Sequence, residues 1–196
     1  MHRFITVVVM ALAETGSLVG AQSGLESRVD LELGRIFFDG APPIAERLAL
    51  LGDPEVISGI VLELARRYST ASAPSHEYTV FRTGVFALGK LNARVALPFL
   101  RSLADTRADD VRGIAVQSIG QIDARGNQDL LLSWLHSPDF THRMIAAQGL
   151  ANTNDPAMLT ELEVQAAREP ELGTSKRIQE YAETLRQRIN AKVKLK

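Results

Sequence analysis

Four histidines, two of which flank an aspartate, are the side chains whose types and spacing could support metal chemistry in this 196-residue chain. His136 and His142 lie on either side of one loop, with Asp139 between them. Imidazole and carboxylate groups are common zinc ligands, but a zinc site also needs further ligands and supporting hydrogen bonds, which the neighbouring sequence does not supply. We therefore expect no metal site here and predict that these side chains are solvated.

Other catalytic patterns are missing from the sequence. Cysteine is absent, which excludes thiolate nucleophiles, thiolate metal sites and disulfides. The sequence also has no glycine-rich phosphate loop, no helical pair of histidines with a glutamate, no nucleophile elbow and no calcium-binding series of carboxylates. We predict a non-enzymatic protein with no cofactor and no catalytic residues.

Composition describes a globular chain with nearly balanced charge. Hydrophobic residues make up 45%, which is enough for a packed core, and aromatic residues make up 6%. The 22 Lys and Arg residues against 23 Asp and Glu residues leave a net charge of −1. Nucleic-acid-binding domains usually carry a clear basic excess, so we expect no nucleic-acid partner.

The N-terminus has the three parts of a secretory signal peptide. A weakly basic start is followed by a ten-residue apolar run, 4–13, and then by small residues ending in Val19-Gly20-Ala21. The apolar run is too short to span a bilayer. We predict that residues 1–21 are removed and that the protein is exported, periplasmic or secreted. The alternative is a cytoplasmic protein that retains these residues.

A repeat with a period of 31 residues is the strongest pattern in the chain. Segments 81–89 (FRTGVFALG), 112–120 (RGIAVQSIG) and 143–151 (RMIAAQGLA) align in one frame. They share small or branched apolar residues at spacings of three and four, which predicts a helix with one apolar stripe in each segment. The closing small residue predicts a left-handed helix cap at Gly89 and Gly120.

A second amphipathic segment follows each of these first helices. Its apolar residues are Leu97, Leu100 and Leu103 in the first copy, Leu131, Trp134 and Leu135 in the second, and Leu159 and Leu162 in the third. Each pair predicts a helical hairpin, and a single hairpin cannot cover its own apolar face. We therefore predict an all-α fold, a right-handed α-solenoid of stacked helical hairpins. Trp134 aligns with Leu103 and is predicted to lie in the core.

The repeated motif resembles the first helix of a HEAT repeat. Asp110-Val111-Arg112, followed by Ala115-Val116, Ile119 and Gly120, carries the resemblance, which includes the short HEAT-like repeats of phycobilin-lyase subunits. His142-Arg143 begins a second match, whereas Phe81 occupies the Arg position of the first copy. The resemblance covers residues 80–166 well and 41–67 less well. It implies that Arg112 and Arg143 brace neighbouring repeats through Asp109, Asp110 or Asp139.

The remaining segments are predicted to complete one domain, residues 22–196. Residues 22–40 fit either a strand or a helix, and we predict a helix because a single strand would have no partner. The polar segment 68–75 predicts a loop that interrupts the repeats. Thr174 is predicted to cap a final helix, 174–192, that closes the open end of the stack.

Polar residues are predicted to line the edge of the stack where each first helix turns into the second. We call this set the turn rim, and its members are Lys90, Arg94, Gln121, Arg125, Asn152 and Pro156. Asp105, Asp109, Asp110 and Asp139 are predicted on the opposite edge. A basic edge favours an acidic partner. The candidate partner-binding residues are Arg94, Arg101 and Arg125, with Arg101 reaching the groove from the intervening helix.

These observations predict a non-catalytic scaffold that binds a protein or peptide partner in the cell envelope or exterior. Its second helices are expected to line a concave binding face. The alternative that the resemblance implies is an accessory subunit of a lyase-like enzyme, with a pigment or another small ligand in the groove. A solenoid motif specifies architecture, whereas function depends on the surface.

Overall fold

The computed structural model describes residues 16–35 and 43–194, which form helices and turns and contain no strand. This confirms the predicted all-α class. The helices are α1 (Gly16–Gly34), α2 (Ile44–Ala49), α3 (Pro54–Arg67), α4 (His76–Lys90), α5 (Leu97–Thr106), α6 (Asp110–Asp123), α7 (Gln128–Leu135), α8 (Phe140–Leu150), α9 (Pro156–Arg168) and α10 (Leu172–Lys194). Short 3₁₀ helices, Arg94–Ala96 and Arg125–Asn127, precede α5 and α7.

Two compact units divide the chain, residues 1–84 and residues 85–196, and the division falls inside α4. In the first unit, α1, α2 and α3 pack on one another. Their apolar side chains, including Val29, Leu33, Ile57 and Val61, are fully buried. Arg67 of α3 also pairs with Glu26 of α1 at 2.5 Å. The part of the 22–40 segment that the structure describes is helical up to Gly34, as predicted, and residues 36–40 lie outside the described part.

The second unit is a stack of helical hairpins, as predicted. Each second helix packs on the first helix that follows it: α5 on α6, α7 on α8, and α9 on α10. The first helices also form a row of their own, in which α6 contacts α8 and α8 contacts α10. At the start of this row, Ser118 Oγ of α6 donates to the carbonyl of Val85 in α4 at 2.9 Å. The first helices are therefore in direct contact along the stack.

The 31-residue frame is confirmed by burial. Four aligned positions of the first helices are buried in all three copies, as are most of the apolar positions of the second helices. The aligned sets are Gly84, Ala115 and Ala146; Val85, Val116 and Ala147; Leu88, Ile119 and Leu150; and Gly89, Gly120 and Ala151. Leu131 and Leu135 are fully buried, and Trp134 is buried as predicted. From Val85 onward, the periodic stripe is thus the core of the second unit.

The closing glycines have a different role from the predicted one. Gly89 and Gly120 lie inside α4 and α6, so the prediction that they form left-handed caps is wrong. They instead allow two helix backbones to approach closely. A Cβ atom on Gly120 would lie 2.8 Å from the Cα of Gly149 in α8, and one on Gly89 would lie 2.8 Å from the Cα of Ser118. Such distances leave no room for a side chain at either crossing.

The left-handed backbone occurs a few residues later and is formed by asparagine. Asn92 has a φ of 53° and Asn154 a φ of 56°. Asn tolerates this region better than other residues with a Cβ, because its short polar side chain bonds locally. Both residues lie between a first and a second helix, and their positions in the two repeats differ by two periods of 31 residues.

Aspartates begin several helices, as their position before a proline or a polar residue would suggest. Asp53 Oδ1 accepts from the amide of Glu55 at 2.9 Å at the start of α3, and Asp155 Oδ1 accepts from Ala157 at 3.0 Å at the start of α9. Pro54 and Pro156 occupy the first helical position, where a missing N–H costs no hydrogen bond. The segment 68–75 between α3 and α4 consists of turns and irregular chain, as predicted.

The last helix begins two residues before the predicted start. Thr174 lies within the first turn of α10 rather than at its cap, and its hydroxyl contacts the carboxylate of Glu171, which precedes the helix. The helix also continues the repeat frame: Ile178 and Ala182 stand 31 residues after Ala147 and Ala151, and both are buried. Helix α10 therefore occupies the place of a fourth first helix and covers α8 and α9.

Candidate functional site

An open cavity of about 550 Å³ lies at the C-terminal ends of the first helices in the second unit. We call it the groove. Its lining residues are Gly89, Lys90, Asn92, Gln121, Gln148, Ala151, Asn152, Tyr181, Thr184 and Arg188. Binding sites for small ligands usually measure roughly 300–1,000 Å³, so the groove is large enough to receive part of a partner.

The groove lies on the first helices and α10, whereas the second helices, which are expected to line a concave binding face, contribute no residue to its lining. The lining comes from α4, α6, α8, α10 and the turns after α4 and α8. The reason is the close approach of the first helices at Gly89 and Gly120. Small residues at these crossings bring the helix ends together, so the polar residues that follow them gather on one surface.

The repeat frame places equivalent polar side chains side by side. Lys90, Gln121 and Asn152 are one period apart, and all three line the groove. Asn152 Nδ2 donates to the carbonyl of Gly120 at 3.3 Å. Gln117 and Gln148 are also one period apart, and Gln117 Nε2 donates to Gln148 Oε1 at 2.9 Å. Half of the predicted turn rim is therefore part of the groove.

Two cations stand in the groove with neutral partners. Arg188 of α10 donates through Nη1 to the carbonyl of Ala151 at 3.0 Å and to Asn152 Oδ1 at 2.6 Å. The ammonium of Lys90 lies 5.1 Å from the centre of the Phe86 ring. Within the described ranges, neither cation has a carboxylate partner, and the lining contains no Asp or Glu. The groove is therefore basic.

The predicted binding residues Arg94, Arg101 and Arg125 lie outside the groove lining. Arg94 and Arg125 are exposed and begin the equivalent 3₁₀ helices of two successive repeats, on the turn rim. Arg125 lies near Asp155. The pKa of Asp155 is lowered mainly by the hydrogen bond from Gln128, then by the amide of Ala157, with a smaller effect of Arg125.

Arg101 has a structural contact that sequence reasoning did not anticipate. Its Nε donates to Asn127 Oδ1 at 2.9 Å, and Asn127 is buried. Asn127 in turn donates to the carbonyl of Asp123 at 2.6 Å. Arg101 therefore links α5 to the 3₁₀ helix of the next repeat. Its replacement would affect packing as well as surface charge.

The histidines considered for metal binding are used in packing and surface contacts. The ring of His142 lies 4.0 Å from the ring of Trp134, and its Nδ1 is 3.1 Å from Ser137 Oγ. Asp139 caps α8 by accepting from the amide of Thr141 at 2.7 Å, and this hydrogen bond is the main reason that its pKa is lowered. No cluster of three potential metal ligands occurs in the part of the chain that the structure describes.

Arg143 is a buried structural arginine, as the resemblance implied, but its partner is Glu169. The prediction of Asp109, Asp110 or Asp139 as partner is wrong for this arginine. Two parallel hydrogen bonds join the side chains, from Nε to Oε2 at 2.7 Å and from Nη2 to Oε1 at 2.6 Å. Nη1 also donates to the carbonyls of Ser137 and Pro138. The pair thus ties the loop before α8 to the residue that follows α9.

Arg112 occupies the same frame position with different partners. Its Nε donates to the carbonyl of Ala104 at 2.9 Å, and its guanidinium lies 5.4 Å from the centre of the Trp134 ring. The residue one period before Glu169 is Pro138, which has no carboxylate. Arg143 therefore holds its repeat through an ion pair, whereas Arg112 holds its repeat through a backbone carbonyl and an aromatic ring.

Sequence reasoning missed several groove residues. Gln148 could have been found, because it follows Gln117 by one period of 31 residues. Tyr181 of α10 also lines the groove. The 31-residue repeat does not identify Thr184 or Arg188, because their place in the groove depends on how α10 packs on α8.

Comparison with known proteins agrees with this architecture. A model of the family described as HEAT repeats matches residues 97–180. Neither the search of curated proteins nor the search of solved structures found a match to the chain. Among the described residues, no helix combines the length and the apolar composition needed to cross a membrane. With their stacked hairpins and 31-residue frame, residues 97–180 are HEAT-like repeats.

Proposed function

We propose that this protein is a non-catalytic scaffold that binds an acidic protein or peptide partner through its turn rim and groove. HEAT repeats generally mediate protein interaction. The observation that carries the proposal is the uncompensated positive charge at the repeat turns. Lys90 and Arg94 at the turns and Arg188 of α10 have no carboxylate partner among the described residues, whereas Arg125 repeats the position of Arg94 in the next turn and lies near Asp155. Such a surface attracts and orients an acidic partner.

The turn rim is tested by reversing the charge at its two arginines, Arg94 and Arg125. An Arg94→Glu/Arg125→Glu variant should capture less partner than the wild type, because an acidic surface would meet repulsion where it formerly met attraction. The loss should shrink as salt rises, since salt screens exposed charges. Crosslinking mass spectrometry on the native protein, at low and high ionic strength, measures capture of each partner. Arg101 is left unchanged because of its bond to Asn127.

A charge-matched variant provides the control. Arg168→Glu/Lys176→Glu makes the same change in net charge at exposed positions outside the turn rim and the groove lining, at the end of α9 and the start of α10. It should capture the same partners as the wild type. Equal capture by the wild type and the rim variant at both salt concentrations would contradict the role of the turn rim. Both variants should melt near the wild-type temperature, because surface substitutions usually change stability by about 0.5 kcal/mol or less.

We also propose that the protein works outside the cytoplasm after removal of residues 1–21. The support is the signal-peptide pattern of the sequence; residues 1–15 lie outside the described part of the chain. Helix α1 begins at Gly16 and includes the expected cleavage site, while its buried residues Val29 and Leu33 lie beyond it. Intact-mass measurement of the native protein should give a chain that begins at Gln22. A retained Met1 in a cytoplasmic fraction would contradict this expectation.

A further inference from the structure

We infer that the groove is a binding site for an extended peptide segment rich in Asp or Glu, with Lys90 and Arg188 as its two carboxylate-binding residues. This inference deepens the proposed function and rests on it: it names the chemistry of the partner and a site on α4 and α10. Lys90 belongs to the turn rim that the sequence predicted, whereas the sequence did not identify Arg188. The groove lining includes both, at opposite ends of the row of first helices.

The charges in the groove support an anionic ligand. Arg188 is held by two neutral oxygens, the carbonyl of Ala151 and Oδ1 of Asn152. The carbonyls at a helix C-terminus carry about half of a negative charge, which holds a guanidinium in place without neutralising it. Lys90 is held over the Phe86 ring, again without a negative charge. Both cations are therefore positioned and still available to a carboxylate.

The polar side chains between the cations suit a peptide backbone. Gln121 and Gln148 each have a side-chain amide nitrogen that can donate to a main-chain carbonyl, whereas the Asn152 amide is already bonded to Arg188 and to the carbonyl of Gly120. Gln121 Oε1 is buried and has no hydrogen-bond partner among the described residues. This oxygen lies against α4, since a Cβ on Gly89 would be 2.8 Å from it. The main-chain carbonyls of a peptide would accept hydrogen bonds from the amide nitrogens of Gln121 and Gln148.

The spacing of the helices favours an extended ligand over a single compact anion. Lys90 belongs to α4 and Arg188 to α10, and α6 and α8 lie between them in the row. Packed helices stand roughly 8–10 Å apart, so the two side chains arise from backbones separated by three such steps. The guanidinium of Arg188 reaches back to the end of α8, where it bonds to Ala151 and Asn152, so its charge lies about two steps, roughly 16–20 Å, from α4. An extended peptide advances about 3.3 Å per residue, so a segment of about six residues can follow the groove.

Binding of a synthetic peptide tests this site directly. The probe is hexaglutamate, amidated at its C-terminus and labelled with fluorescein at its N-terminus, and fluorescence anisotropy measures its Kd for the full chain at low salt. Lys90→Gln and Arg188→Gln should each weaken binding about tenfold, as expected for the loss of one charge-assisted hydrogen bond. Arg188→Lys keeps the charge and should recover part of the affinity. Labelled hexaglutamine should bind more weakly than hexaglutamate to the wild type.

Lys176→Gln is the matched control, because it removes one exposed cation from α10 outside the groove. It should change the Kd less than twofold. The site is overturned if hexaglutamate does not bind the wild type, if both groove variants bind it as the wild type does, or if Lys176→Gln weakens binding equally. If the peptide test fails but the Arg94→Glu/Arg125→Glu variant still captures less partner, the groove is not the binding site and the scaffold proposal stands. If the groove variants bind hexaglutamate as the wild type does and the Arg94→Glu/Arg125→Glu variant captures partner as the wild type does, both proposals are wrong.

Discussion

A Glu169→Ala variant is expected to lose about 3–5 kcal/mol of unfolding free energy, because it leaves the guanidinium of Arg143 buried without a counter-charge. The side chain of Glu169 is 0% exposed and that of Arg143 is 10% exposed, so water cannot replace the lost carboxylate. Urea denaturation followed by helical circular dichroism measures the change. The loss should appear in the transition of the second unit, which contains both residues.

The same pair should make stability depend on acid pH. The hydrogen bonds from Arg143 are the main cause of the lowered pKa of Glu169, whose ordinary value is 4.5. A carboxyl with a lower pKa in the folded state stabilises the fold above its unfolded pKa, and this contribution is lost as the pH falls through the folded pKa. Wild-type stability should therefore fall below about pH 4.5, and Glu169→Gln should show a weaker dependence on pH in that range.

Two controls separate the buried pair from ordinary surface ion pairs. Glu180→Ala removes the carboxylate of an exposed pair with Arg177, where both side chains are at least half exposed, and should cost under about 1 kcal/mol. The double variant Arg143→Met/Glu169→Leu removes both buried charges together. It should be less destabilised than the sum of its two single variants. A strictly additive double variant would contradict the proposed coupling.

A Leu131→Ala variant is expected to lose about 2–5 kcal/mol, because it opens a cavity where the first helices cross. Leu131 is fully buried in α7. Its side chain fills the space beside two glycines: a Cβ on Gly149 would lie 2.8 Å from Leu131 Cδ2, and one on Gly120 would lie 3.6 Å from it. Thermal and urea denaturation measure the loss. Leu172→Ala is the matched control, since Leu172 is 84% exposed and should show little change.

A double-mutant cycle tests the contact between Leu131 and Gly149. Gly149→Ala alone should be destabilising, because the added methyl group would collide with the leucine side chain. In the Leu131→Ala background that collision is removed, and the methyl group partly fills the cavity. The double variant should therefore be more stable than the sum of the two single changes predicts. Additive effects would show that the two residues do not meet at this crossing.

The repeat architecture could be predicted from the sequence because it depends on local information. Apolar residues at spacings of three and four predict a helix and its buried face, and recurrence at 31 residues predicts that the hairpins stack. The buried sets in α6, α8 and α10 follow that pattern. The turn rim was predicted in the same way, and Lys90, Gln121 and Asn152 come together because they share one frame position.

Several contacts were decided by tertiary structure. The frame places Arg143 near the loop that precedes it, yet its partner is Glu169, 26 residues later. Gly120 looks like a helix cap in sequence but lies within α6, because helix length depends on the contacts that extend it past the small residue. In both cases the sequence pattern predicts a role for the residue but does not identify the atoms that it meets.

The sequence by itself determined that this protein is a stack of helical hairpins with a polar, partly basic turn edge. The tertiary structure decided which of those polar residues form a groove, and it added Arg188 from a helix outside the repeat pairs. The physical reason is that periodicity specifies which face of a helix is buried, whereas the distance and rotation between two helices depend on side-chain packing at their crossing. Here the crossings at Gly89 and Gly120 set that approach and bring the ends of the first helices together.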